Sequence, residues 1–221
     1  PGAKKFIKPL ISADEFINGY KRWCIWLKDT DPSEWRSLKE VVKRVDLVKK
    51  HRGKSKRAAT AKLASTAYLF GEIRQPTANY LLIPRHSSEN RRYIPMAFLP
   101  KTSIVSDSCL FVPNASSYHF GILTSTMHMA WMRQVCGRLE SRYRYSNELV
   151  YNNYPWPLGI SKENAAKISN KAEEIIKVRE LFDSSSLADL YDPLTMPKEL
   201  RKAHEELDKL VDKSYRPQAF N

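Results

Sequence analysis

Apolar and polar positions alternate irregularly over Phe6–Leu10, which predicts a short strand or an extended lead-in. Ser12-Ala13-Asp14-Glu15 then carries the capping-box pattern, a hydroxyl at the cap and a carboxylate three residues on. Phe16, Tyr20, Trp23 and Leu27 follow at helical steps, so a helix is predicted to about Lys28. Asp31-Pro32-Ser33-Glu34 is a second start signal, and Trp35, Leu38, Val42 and Val45 extend that helix to about Gly53. The pattern then changes. Tyr68–Ile73, Tyr80–Pro84, Tyr93–Leu99 and Ser103–Val112 are short runs rich in aromatic and branched residues, separated by turn residues, and predict a small, mostly antiparallel sheet. Helical spacing returns from Tyr118 to about Leu139. Pro155-Trp156-Pro157-Leu158-Gly159 forbids helix, and two amphipathic helices are predicted beyond it, near 161–182 and 196–213. The fold class is therefore α+β: N-terminal helices and a small sheet, followed by a C-terminal helical hairpin.

Charge sharpens this division. The 221 residues carry a net charge of +13. Residues 1–150 hold 26 Lys/Arg against 12 Asp/Glu, whereas residues 151–221 hold 11 against 12. Within 41–92 there are thirteen basic side chains and three acidic ones. Such a surface gains counterion-release free energy from a polyanion, which points to nucleic acid. The plain alternative is a solubilising face. No apolar run is long enough for a membrane-spanning helix, the residues after Pro1 give no expectation of a signal peptide, and three widely spaced cysteines (Cys24, Cys109, Cys136) suit a reducing cytoplasm.

Catalytic patterns are missing. His51, His86, His119, His128 and His204 form no zinc spacing with the cysteines, and there is no nucleophile elbow and no glycine-rich phosphate loop. Tyr151-Asn152-Asn153-Tyr154-Pro155-Trp156-Pro157 holds the ingredients of an adenine-methylating loop in the wrong order, and reads as a packed aromatic–proline corner. Asp46, Glu72 and Glu89 make no nuclease-type arrangement that would hold Mg²⁺. The five tryptophans read mainly as core.

Recognition chemistry remains. Arg85, Ser88, Glu89, Asn90 and Arg91 sit in the loop joining two predicted strands, and these side-chain types match base edges: arginine to guanine, asparagine to adenine, glutamate to cytosine. Lys49, Lys50, Arg52, Lys54, Lys56 and Arg57 suit phosphate contacts, as do Arg92, Arg138, Arg142 and Arg144, the last three interleaved with tyrosines. A helix terminus tied by ion pairs is the competing reading of that last group.

Four blocks in this sequence resemble a known family. They are Tyr80–Arg85 with Ser87-Ser88-Glu89, Arg92–Pro95 and Phe98-Leu99; Tyr118–Ser125 with Met127–Trp131; Cys136 through Arg144-Tyr145-Ser146 to Pro157; and Leu187–Pro193 with Met196-Pro197 and Leu200–His204. Over about residues 5–215 the chain is similar to the C-terminal part of MmeI-like type IIG/IIL restriction–modification enzymes, which combine a nuclease, an N6-adenine DNA methyltransferase and a target recognition domain. The resemblance implies a lead-in over 1–29, a double-stranded-DNA target recognition domain over 30–157 and a helical segment over 158–221. It implies no catalysis and no cofactor in this chain, with S-adenosylmethionine and Mg expected only in methyltransferase and nuclease domains that this chain, read as an excised fragment, lacks. Within that frame Thr124, Ser125 and His128 join the 85–92 loop as expected base readers. A protein–protein docking module, using the apolar face of the C-terminal helices, is the alternative.

Overall fold

The computed structural model describes residues 2–216. Strand β1 (Ile7–Ile11) leads into helix α1 (Ala13–Asn18), where Ser12 and Glu15 form the expected capping box. The helix does not continue to Lys28. Gly19 adopts a left-handed φ of 75° and its N–H donates to the Glu15 carbonyl 3.0 Å away, ending α1 after six residues. The chain beyond is extended: β2 (Trp23–Ile25) pairs antiparallel with β1, Ile7 opposite Ile25. Trp23 stands 59% exposed on β2 and not in the core.

The chain forms two compact units. The first comprises the chain up to Leu10, Lys21–Gln75 and Thr102–Ile104; the second comprises Ile11–Tyr20, Pro76–Lys101 and the chain from Val105 onward. In the first unit, the helix expected over 31–53 is broken at Ser37–Leu38 into α2 (Ser33–Arg36) and α3 (Lys39–Gly53), followed by α4 (Ala58–Lys62). Its small core gathers Phe6, Leu27, Trp35 and Val41, with Leu38, Val42 and Val45 packed against them. The run Tyr68–Ile73 is turns rather than a strand. Its aromatics are held by rings, Tyr68 stacked on Trp35 at 5.9 Å and Phe70 tilted on Trp26 at 5.4 Å.

The second unit is built on β3 (Tyr80–Pro84), buried at every position. After β4 (His86–Ser87), β5 (Ala97–Leu99) and β6 (Ile104–Val105) comes β7 (Cys109–Pro113), and β5 and β7 flank β3 antiparallel. Alternation explains the double burial of β3. Tyr80 and Leu82 meet Cys109 and Phe111 on one face, while Leu81 and Ile83 enter the main core on the other.

The helix expected over 118–139 is two helices and a strand. Helices α5 (Ser117–Leu123) and α6 (Thr126–Val135) break at Thr124–Ser125, where the Ser125 hydroxyl accepts the His128 N–H and starts α6. Strands β8 (Gly137–Leu139) and β9 (Arg142–Arg144) follow, then one wide turn over Asn147–Tyr151. At the aromatic–proline corner, Trp156 lies edge-on to Tyr154 at 5.5 Å and to Tyr151 at 6.0 Å.

Helices α7 (Lys162–Glu180), α8 (Leu187–Leu190) and α9 (Lys198–Tyr215) complete the second unit. Ile168, Ala172 and Ile175 of α7 and Leu200, Leu207 and Val211 of α9 are fully buried in one core with Phe120, Ile122 and Met129. The apolar face of the C-terminal helices is thus covered inside this unit and is not free to dock elsewhere. Gly121 permits that packing: a Cβ there would lie 2.8 Å from Ile168 Cγ2 and 3.3 Å from Ala172 Cβ.

Candidate nucleic-acid interface

A third small sheet, ordered β4-β9-β8, unites two stretches that lie about fifty residues apart in sequence. His86 pairs with Arg144 and Ser87 with Tyr143, while Gly137, Arg138 and Leu139 pair with Arg144, Tyr143 and Arg142. Directly paired residues share a face of the sheet. Arg142, Arg144, His86 and Leu139 therefore stand on one side, and Tyr143, Arg138 and Ser87 on the other. Tyr143 is buried and both its arginine neighbours are exposed, the period-two pattern of a half-buried strand.

Arg142 and Arg144 have no ion-pair partner within 4.0 Å among the described residues, yet both act on His86 together with Arg85. Burial first, then these three guanidinium groups, hold the His86 imidazole below its ordinary value. Arg85 Nε and Ser87 Oγ are buried without a hydrogen-bond partner among the described residues. Like charges gathered this closely repel one another, and an added anion relieves that repulsion. The Arg85 backbone is fixed, its N–H donating to Ser108 O at 2.9 Å and its carbonyl accepting from Tyr145 N at 2.7 Å. That contact sets the β6–β7 turn, with exposed Asp107, beside Arg85.

The loop meets the hairpin. Glu89 is held below the usual carboxylate range first by its own backbone N–H, then by the Ser141 hydroxyl, and further by Arg142 and Arg138. Ser88 organises the tip: its carbonyl accepts from Arg91 N at 3.3 Å and its hydroxyl from Asn90 N at 3.3 Å. Asn90 is exposed, and its side-chain amide makes no hydrogen bond among the described residues. Arg91 is half-buried, with Nε unpartnered. Arg92 is engaged internally, with Nη1 3.3 Å from Glu205 and Nη2 3.8 Å from Asp208. Arg133 Nη2 donates to the Arg91 and Arg92 carbonyls at 3.5 and 3.3 Å, pinning the loop to α6.

Three expected base readers lie elsewhere. Thr124, Ser125 and His128 have no exposed surface. The Thr124 hydroxyl donates to Phe120 O at 2.8 Å and the Ser125 hydroxyl to Ile122 O at 2.7 Å, while His128 Nε2 shares a hydrogen bond with Tyr145 OH at 2.9 Å. They shape the α5–α6 junction and cannot touch a base edge from there. In their place the sheet brings forward Glu140 and Ser141 at the hairpin tip and Asp107 and Ser108 beside Arg85. The strand alternation in Arg142-Tyr143-Arg144 was the signal that could have located the hairpin.

The first unit carries a separate cationic surface. Lys49, Lys50, Lys54, Lys56 and Arg57 are exposed at the end of α3 and the start of α4. Arg52 differs: it donates to the Leu63, Thr66 and Leu69 carbonyls at 3.0, 3.2 and 2.9 Å, closing the turns after α4. It is a structural residue and not a free phosphate contact. Arg52→Ala is expected to destabilise the protein by about 2 kcal/mol, whereas Lys56→Ala should leave stability within about 0.5 kcal/mol; urea titration of both variants checks this.

These features define an α+β module whose exposed chemistry is cationic and polar, with no grouping of three metal-ligating side chains among the described residues. The chain belongs to the MmeI family: residues 1–158 match the MmeI target recognition domain and residues 160–221 the MmeI C-terminal domain. It is 39% identical over 220 residues to DNA methyltransferase A of Bacillus subtilis (strain 168), covering 100% of this chain and 25% of that protein. The solved structure of the type IIL restriction–modification enzyme MmeI in complex with DNA is similar at a TM-score of 0.95 and 46% identity, over 100% of this chain and 29% of that one. The chain thus spans roughly a quarter of the length of these relatives and matches the target recognition and C-terminal domains of the family.

Proposed function

We propose that this chain reads a short sequence in double-stranded DNA and delivers it to catalytic domains of the same restriction–modification polypeptide. The observation that carries this reading is the β4-β9-β8 sheet, which sets unpaired Arg142 and Arg144 beside Arg85 and joins them to the polar 88–91 loop. Loop and hairpin act as one reader in a DNA groove, with Arg85, Ser88, Glu89 and Asn90 meeting base edges. Their position beside that loop moves Arg142 and Arg144 from phosphate contacts to the reading group. Lys49, Lys50, Lys54, Lys56 and Arg57 hold phosphates. The chemistry served is S-adenosylmethionine-dependent methylation of adenine N6, with a Mg-dependent nuclease on the same polypeptide, in the cytoplasm; both reactions belong to domains outside this chain.

Selection from a randomised duplex pool at two salt concentrations tests the reading. Enrichment of one short motif is expected. Arg142→Ala should then lose about 1–3 kcal/mol of discrimination at a single base pair. Lys56→Ala should weaken all sequences alike and reduce the salt slope by about 0.9. Uniform losses from both variants, or salt-sensitive binding without enrichment, would overturn the assignment.

A second reading, docking to another part of the parent polypeptide, is favoured by a groove of about 790 Å³ in the first unit. Ile7, Trp23, Leu47, Tyr68 and Phe70 line it and are 36–59% exposed. Failure to bind any duplex at either salt would move the main role there.

A further inference from the structure

Arg138 differs from the arginines around it, and the difference follows from two contacts. Its Nη1 donates to the Ser141 carbonyl at 2.9 Å, and its guanidinium carbon lies 4.3 Å from the centre of the Tyr143 ring. Tyr143 is 6% exposed and belongs to the main core. Between Arg138 and Ser141 stands Glu140, with a φ of 56°. That left-handed conformation disfavours any residue with a Cβ, and Glu140 occupies an exposed hairpin tip with neither glycine nor asparagine to ease it. Something must hold the tip in place. The core fixes the Tyr143 ring, the ring fixes the Arg138 plane, and the plane fixes the Ser141 carbonyl, so Glu140 and Arg142 on either side of Ser141 inherit a defined position.

We infer that Arg138 is a positioning residue that sets the β8–β9 hairpin tip for base reading, and that it makes no phosphate contact of its own. This rests on the DNA-reading role of the hairpin stated above. Stacking and carbonyl bonding at once need a planar guanidinium, which a lysine ammonium cannot imitate although it keeps the charge. Arg142 and Arg144 make no comparable internal bonds among the described residues and remain available to DNA.

The test measures binding of the whole chain to its enriched duplex and to a scrambled duplex across a salt series, for Arg138→Lys, Arg138→Ala, Tyr143→Phe and Tyr143→Leu. Arg138→Lys and Arg138→Ala are both expected to lose about tenfold in the ratio of enriched to scrambled affinity, with the scrambled affinity within twofold and the salt slope unchanged. Tyr143→Phe keeps the ring and should behave as wild type. Tyr143→Leu should reproduce Arg138→Lys, and the double variant should lose no more than either alone. A fall of about 0.9 in slope for Arg138→Ala, with Arg138→Lys near wild type, would identify a phosphate contact and overturn the inference. Amide hydrogen exchange tests the positioning step independently of DNA. Exchange at Ser141 and Arg142 should quicken at least fivefold in Arg138→Lys; unchanged exchange overturns it. Wild type that prefers no sequence, with exchange quickened as expected, would instead count against the DNA-reading role alone.

Discussion

Asp208→Ala is expected to lower stability by about 3–4 kcal/mol. Asp208 is 7% exposed on α9 and accepts two hydrogen bonds that nothing else replaces. Oδ1 takes the Thr126 N–H at 2.8 Å, at the first turn of α6, and Oδ2 takes the Tyr93 hydroxyl at 2.8 Å. Alanine leaves both donors without an acceptor, at about 1–3 kcal/mol each, and removes the favourable charge at the α6 N-terminus. Tyr93 has no exposed surface, so water cannot substitute. Arg92 loses one of its two carboxylates as well. Asn at this position separates geometry from charge. Its carbonyl still accepts from Thr126, and the Tyr93 hydroxyl can turn to accept from the amide, so Asp208→Asn is expected to cost about 1 kcal/mol. Charge matters less than geometry here: burial raises the Asp208 carboxyl above its usual value, against the Thr126, Tyr93 and Arg92 contacts, so the folded state holds a proton the unfolded chain has lost and the stability this contributes is lost as pH rises from the usual value through the raised one. Equal losses for Ala and Asn in urea titration would contradict this account. Since Arg92 and Tyr93 close the 88–91 loop, Asp208→Ala should also blur the discrimination assigned to that loop.

What the sequence made legible was local. The capping box at Ser12, strand β3 and the two long C-terminal helices are set by neighbouring residues, and all three occur where their patterns predict. The errors arise where two local rules competed. Phe16, Tyr20, Trp23 and Leu27 fit a helical period, but Gly19 in a left-handed conformation ends the helix, and periodicity alone cannot rank the two. Thr124 and Ser125 look like surface polar residues, yet a helix junction buries them by turning their hydroxyls onto backbone carbonyls. Arg52 is one cation among many in sequence and becomes structural only through carbonyls eleven to seventeen residues away. The candidate interface was half visible: both arginine-bearing stretches stood out in composition, but it takes the pairing of β4 with β9 to join them. The MmeI resemblance, which rested on long ordered blocks, agrees with the family match across the chain.

Mild acid should unfold the protein before its surface carboxylates titrate. His128 is completely buried among aromatic rings, 4.5 Å from Tyr154, and burial pushes its imidazole down to about 3. His204 is likewise buried, stacked on Tyr93 at 4.1 Å, and is driven well below its ordinary value by burial and then by Arg179 and Arg92. A histidine free in the unfolded chain titrates near 6.5. Below that pH the unfolded chain takes up protons that the folded one refuses, so the stability these groups contribute is whole above about 6.5 and falls as pH drops toward 3. For His128 alone the loss reaches about 3 kcal/mol by pH 4.5, and His204 adds to it with the same sign. Carboxylates held low by their partners, such as Glu34 and Glu163, weaken the fold only at more acidic pH, and Asp208 acts in the opposite direction. Urea midpoints between pH 7 and 4.5 should therefore fall steeply in wild type. His128→Phe lowers stability at neutral pH, because Tyr145 loses its partner, but it removes one proton from the linkage. The slope against pH, rather than the stability itself, is the decisive quantity. It should drop by about one proton, roughly 1.4 kcal/mol per pH unit, in His128→Phe, while His204, His86 and His119 keep their share of the slope; a slope equal to wild type would mean that His128 takes up its proton inside the folded protein.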